Sequence, residues 1–169
     1  MQLPSADSAG FHAEMAALWR GIQRNSVPAA MPAFFPEDAY AQVKTLGDPR
    51  GDWVIRLLLD YRLDIAAVHA LVGADVDRAQ LVEVQVPGSY AHWVDPGACY
   101  NAIGYYEVPN SRLVYREHGE LRSVGIASMI SWRGVWYVIH LGATFRVGNI
   151  GVLDHPSLGR GSSAPSSTC

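Results

Sequence analysis

Apolar positions along the chain follow two rhythms, a helical one before Gly73 and a two-residue alternation after it. Phe11, Met15, Leu18 and Ile22 recur at three- and four-residue steps, which predicts a helix over 11–23 with Ser8 as its N-cap. Asn25-Ser26-Val27-Pro28 should end it, because the residue before a proline avoids helical angles. Residues 27–36 carry Pro28, Pro32 and Pro36 and read as a connector. A short second helix is expected over 36–46, opened by Pro36-Glu37-Asp38 and closed by Gly47-Asp48-Pro49. The third helix, 52–72, is apolar almost all round, so most of it should be buried. Gly73 stops it.

The remainder reads as strands: 81–86, 90–94, a β-like stretch over 100–108, then 112–116, 121–131 and 135–141. Glu117-His118-Gly119 and Trp132-Arg133-Gly134 are expected to be three-residue hairpin loops. That register sets Tyr115 opposite Leu121 and sends Tyr137 and His140 to opposite sheet faces. Both faces then carry many apolar side chains. Both should therefore be covered, one by the third helix and the other by a partner subunit or the termini. Residues 142–153 either extend the sheet or wrap it. The expected organisation is one α+β domain over 8–152 and a disordered Gly/Ser/Pro tail over 153–169.

Composition narrows the function classes only a little. Of 169 residues, 49% are hydrophobic and 17% charged, which suits a folded domain. The net charge is −3 and no element carries a basic stripe, so no nucleic-acid partner is expected. Lys44 is the only lysine beside twelve arginines, a bias that reads as the imprint of a GC-rich genome. Cys99 and Cys169 lack metal or C-x-x-C spacing, and Cys169 reads as a free thiol. No apolar run is long enough to span a membrane. Met1-Gln2-Leu3-Pro4-Ser5 lacks the regions of a signal peptide, so the chain as given reads as cytoplasmic. A chain whose export signal had been removed would read the same way, which keeps an exported accessory protein as the alternative.

Three helices followed by an antiparallel meander, over roughly 8–145, resembles the NTF2-like and cystatin-like cone-fold superfamily. The stretch Ser131-Trp132-Arg133-Gly134-Val135-Trp136-Tyr137-Val138-Ile139-His140-Leu141-Gly142 also resembles a segment of uncharacterised actinobacterial proteins. The resemblance implies a curved sheet wrapped on a long helix, and often a homodimer. It implies no particular chemistry, because such folds serve enzymes and non-catalytic binding domains alike.

Phosphate-loop, zinc-protease and serine-hydrolase signatures are absent, so candidates come from expected geometry alone. Asp64 and His69 on the third helix are candidate proton-transfer groups, since a buried carboxylate or imidazole can titrate near neutrality. Tyr137 and His140 could join them in a shared cavity, despite their expected opposite facing. Arg62, in line with His69 and flanked by apolar residues, is a candidate for an anionic group. Trp93 and Tyr106, among turn residues, are candidates for a ligand mouth. Arg112, Arg116 and Arg122 form a possible anion patch, read more simply as a solvated hairpin. His92 and Asp95 alone make no metal site, and no cofactor is expected. The expectation is a non-catalytic domain that binds a partner or a small apolar or anionic ligand, as a homodimer through its sheet. The alternative is a cofactor-independent isomerase, cyclase or hydrolase, with Asp64 or His69 as base and a tyrosine polarising a carbonyl.

Overall fold

A computed structural model describes residues 2–164. Helices come first and an open, six-stranded antiparallel sheet follows, an α+β arrangement. Helix α1 (Ala9–Arg24) starts at Ser8, whose side chain accepts from the Phe11 N–H. It ends at Asn25, which adopts the left-handed conformation (φ 46°). The expected connector over 27–36 is partly helical: α2 (Val27–Ala30) has a proline in its first turn, and a 3₁₀ turn follows at Met31–Ala33. Helix α3 (Glu37–Val43) is shorter than its sequence pattern suggested.

The long apolar helix is present in three parts. Helix α4 (Pro49–Asp52) is capped by Asp48, whose carboxylate accepts from the Gly51 N–H. A π-helical stretch (Trp53–Leu58) continues into α5 (Leu59–Val72), which Gly73 ends at φ 78°. The wider π turn shifts the facing of these residues. Trp53 and Leu57 are buried while Val54 and Ile55 lie exposed, so the expectation of near-complete burial fails at this end.

Strands β1 (Gln80–Gln85), β3 (Tyr105–Glu117), β4 (Glu120–Trp132) and β5 (Val135–His140) lie side by side in that order. The short β2 (His92–Val94) pairs with β3, and β6 (Ser157–Leu158) pairs with β4. Trp19 of α1 lies against Tyr115, and Phe34 stacks on Tyr61 while forming a bridge to Val138 of β5. One apolar core runs through both halves, from Phe11 and Leu18 to Leu113, Ile126 and Trp136.

The hairpin register differs from expectation. Glu117 stands opposite Glu120 and Tyr115 opposite Arg122, so the β3–β4 loop is the two residues His118-Gly119. Both have positive φ (49° and 82°), the signature of a type I′ turn. The like-charge pairing that counted against this register is relieved by Arg122, 3.0 Å from Glu117 and 3.7 Å from Glu120. Arg133-Gly134 repeats the turn between β4 and β5, with φ 50° and 82°. Further along β5 the register shifts between Met129↔Val138 and Ser128↔His140, leaving Ile139 as an extra residue. Since Ile130 faces Tyr137, the bulge brings Tyr137 and His140 to the same side of the sheet, contrary to the expected split.

The expected tail is ordered through residue 164. Beyond the end of β5, the chain returns along β4: the Gly125 N–H donates to Asp154 O and the Gly159 N–H to Leu121 O. Arg112, 2% exposed, donates to the carbonyls of His155, Arg160 and Ser162, and also to Ser123 Oγ. Asn110 bonds Ser163 and Ala164, and Arg160 pairs with Glu83 at 2.7 Å. At the other terminus, the Trp136 indole N–H donates to Pro4 O. Pro4 and the described residues 154–164 thus lie against the sheet. Cys99 is disulfide-bonded and not a free thiol. The reading of Cys169, and the tail expected over 165–169, fall outside the described residues.

Candidate functional site

The candidate residues separate into groups that are consumed by the fold and groups that line a cleft. Asp64 belongs to the first kind. It is 1% exposed, and its two oxygens accept four hydrogen bonds. Gly142 N–H and Val152 N–H donate at 2.9 Å each, and the Arg146 guanidinium donates at 3.1 and 3.0 Å. Four donors fill the lone pairs of a carboxylate, so none is left to take a proton from a substrate. The approach is close: a Cβ on Gly142 would fall 1.8 Å from Val152 O and 2.7 Å from the Asp64 carboxyl carbon. Arg146 also lies 3.4 Å from Asp60 and donates to the carbonyls of Ala143 and Ile150. Together these bonds latch the 142–152 loop onto α5.

His69 is likewise structural. Its Nδ1 donates to Ile22 O at 2.9 Å, near the C-terminus of α1. That bond ties His69 to α1. Arg62 is exposed, at the rim of a shallow groove of about 400 Å³ with Val54, Ile55 and Leu58. Arg112, Arg116 and Arg122 do not converge either: Arg112 is buried under the C-terminal segment, Arg116 bonds Gly119 O, and Arg122 serves the hairpin glutamates.

Trp93 and Tyr106 pack edge to face at 5.1 Å, and the Trp93 indole donates to Asp95. Tyr137 packs edge-on against Phe35, and burial raises its hydroxyl pKa, with the Glu14 charge adding to the effect. Glu14 itself has a buried Oε2 with no hydrogen-bond partner, and burial lifts its pKa to about 7.

His140 lines a polar cleft. The cleft encloses about 180 Å³ between α3, the π-helical stretch and the sheet. Tyr40, Lys44 and Arg56 face it from the helices, and Tyr105, Ser128 and His140 from β3, β4 and β5, with Cys99 nearby. Sequence reasoning missed Lys44, whose singularity was taken for codon bias. Arg56 pairs with Asp52 at 2.6 Å and donates to the Tyr40 hydroxyl at 3.0 Å. The Tyr40 hydroxyl donates in turn to Asp52. Burial and the bond to Asp52 hold the Tyr40 hydroxyl protonated well beyond its usual range.

Lys44 donates to Cys99 O (2.9 Å) and to Asn101 Oδ1 (2.7 Å), both neutral acceptors. Burial, then the Arg56 charge, lowers its pKa. Ser128 Oγ donates to Glu107 Oε1 at 2.8 Å, and Glu107 Oε2 lies 3.3 Å from His92 Nε2. In this order the Ser128 hydroxyl is bonded to a carboxylate, a weaker base than the imidazole of a serine–histidine arrangement. His140 makes no hydrogen bond among the described residues. Burial, with help from the Arg56 and Arg146 charges, drives its pKa down to about 4, so the ring is neutral at pH 7.

Among the described residues, no three His, Cys, Asp or Glu side chains are grouped to hold a metal ion, and no helix is long and apolar enough to cross a membrane. Comparison with protein-family models, curated proteins and solved structures finds no match to this chain. The reading of the site therefore rests on its geometry.

Proposed function

We propose that this chain is a non-catalytic binding domain whose small ligand occupies the cleft between Lys44, Arg56 and His140. The observation that carries the reading is the contrast in hydrogen bonding. Asp64 and His69, the candidate bases, are engaged by backbone groups, whereas His140 sits in a cavity with its ring nitrogens unengaged among the described residues. A half-buried imidazole that faces a cavity, with no side-chain hydrogen bond among the described residues, offers a ligand both a donor and an acceptor.

The sequence of helices followed by an antiparallel sheet supports a kinship in architecture with NTF2-like and cystatin-like domains. The reading does not require a second copy, because Pro4 and the described residues 154–164 already lie against the sheet. A cofactor-independent proton-transfer enzyme is the second reading, favoured only by the neutral His140 imidazole at the cavity wall.

A thermal-shift screen of the full chain against compounds of up to about ten non-hydrogen atoms tests the proposal. Some compounds should raise the melting temperature, and His140→Phe, which fills the cleft, should abolish the shift. A shift that survives His140→Phe would place the ligand elsewhere, and no shift with any compound would contradict the reading.

A further inference from the structure

We infer that the cleft selects a small monocarboxylate with an apolar body, held through its carboxylate by Lys44. This rests on the ligand-binding reading and adds the ligand's chemical class.

Charge comes first. Two cations reach the cleft, and they differ in how they are satisfied. Arg56 already has a carboxylate, Asp52, at 2.6 Å. Lys44 has none within ion-pair distance among the described residues. Two of its three N–H groups donate to uncharged oxygens and its ammonium lies 5.9 Å from the centre of the Tyr105 ring, so its direct partners among those residues are all uncharged. The nearby Glu107 is not a substitute, since Ser128 engages one of its oxygens and His92 faces the other. Asp52 and Glu107 act on the half-buried ammonium only from beyond ion-pair distance, so an entering anion in direct contact offsets more of its desolvation cost.

Shape and lining narrow the class. A volume of 180 Å³ equals about six water molecules at roughly 30 Å³ each, which suits a ligand of some six to ten non-hydrogen atoms. Leu57, Ile130 and Ile139 make an apolar wall, and Tyr105 adds a ring. A fully polar tetrahedral anion would leave that wall against charged oxygens, whereas a short alkyl or aryl chain covers it. The neutral His140 ring can donate to the second carboxylate oxygen without adding a buried charge.

Calorimetric titration of the full chain at pH 7 tests this, with valerate and benzoate as probes against valeramide, benzamide and inorganic phosphate. The acids should bind saturably and the matched amides at least about tenfold more weakly. Lys44→Met should lose about tenfold or more in affinity for the acids, and Lys44→Arg should retain most of it. Circular-dichroism melting of both variants confirms that the fold is intact. Amides binding as well as acids, phosphate binding more tightly than either acid, or an unchanged affinity in Lys44→Met would each overturn the carboxylate assignment and leave the cleft reading standing. If neither the acids nor any compound of the thermal-shift screen binds, the cleft reading itself fails.

Discussion

Two neighbouring polar clusters, close enough for the Arg146 charge of one to act on His140 of the other, are built on opposite principles. At Asp64 a buried carboxylate meets a bidentate guanidinium and two backbone N–H groups, with each oxygen accepting twice. In the cleft, the Lys44 ammonium meets two neutral oxygens and the Tyr105 ring, and the His140 ring makes no hydrogen bond among the described residues. Both clusters are partly or wholly buried, and both join the helices to later segments of the chain. The difference shows that burial of a charged group does not by itself mark function. The saturated Asp64 carboxylate holds the chain in place, although Arg146 Nε beside it has no hydrogen-bond partner among the described residues, and unengaged groups beside a cavity are available to something else.

Asp64→Ala should produce the largest effect. It leaves the Arg146 guanidinium, whose side chain is 10% exposed, without its closest partner, and it strips two backbone N–H groups of their acceptor. The expected loss is about 3–5 kcal/mol by urea unfolding, with early hydrogen exchange across 142–152. A loss under about 1 kcal/mol would mean that the latch is ornamental and that the comparison is wrong.

The next effect belongs to His140 and depends on pH. Its folded pKa, about 4, lies below the unfolded value of 6.5, so between those values the unfolded chain binds the extra proton. Stability is therefore fully present above pH 6.5 and declines as the pH falls toward 4, by on the order of 1–3 kcal/mol for this group. Subtracting the His140→Phe profile from that of the native chain isolates the contribution. Equal slopes in the two chains would show that the ring is already solvated.

Arg112→Met probes the C-terminal segment. The substitution removes the donors to His155, Arg160 and Ser162 but frees carbonyls that water can reach, so about 1–3 kcal/mol is expected. Exchange should accelerate at Gly159 and Gly125, whose N–H groups pair this segment with β4. Unchanged protection there would show that the edge pairing holds the segment without Arg112.

Lys44→Met should be the mildest, within about 1 kcal/mol of the native stability in either direction, because the ammonium forms no ion pair for the substitution to break. A loss as large as that of Asp64→Ala would erase the distinction between the two clusters.

Local signals in the sequence were legible. The Ser8 cap, the stop at Gly73, the alternation of β1 and the length of β4 each follow from the residues concerned. Register was not legible, because it depended on non-glycine residues taking positive φ at His118 and Arg133, and on a bulge at Ile139 that no side chain announces. The C-terminal segment looked disordered because its Gly/Ser composition offers no apolar anchor. Its described residues are held by distant polar partners, Arg112, Asn110 and Glu83, and by pairing with β4. The sites divided in the same way. His140 was found from its place in a strand, while Lys44 gains its meaning only when Asn101 and Cys99 are folded against it.

Because Lys44 is the only lysine, a ¹⁵Nζ spectrum of the lysine-labelled chain contains a single side-chain signal. Titrating benzoate while following that signal and the Gly142 and Val152 amides compares the two clusters in one experiment. The account predicts a saturable shift at Lys44 and still amides at the Asp64 latch. A stationary Lys44 signal, with the movement at Gly142 and Val152 instead, would contradict it.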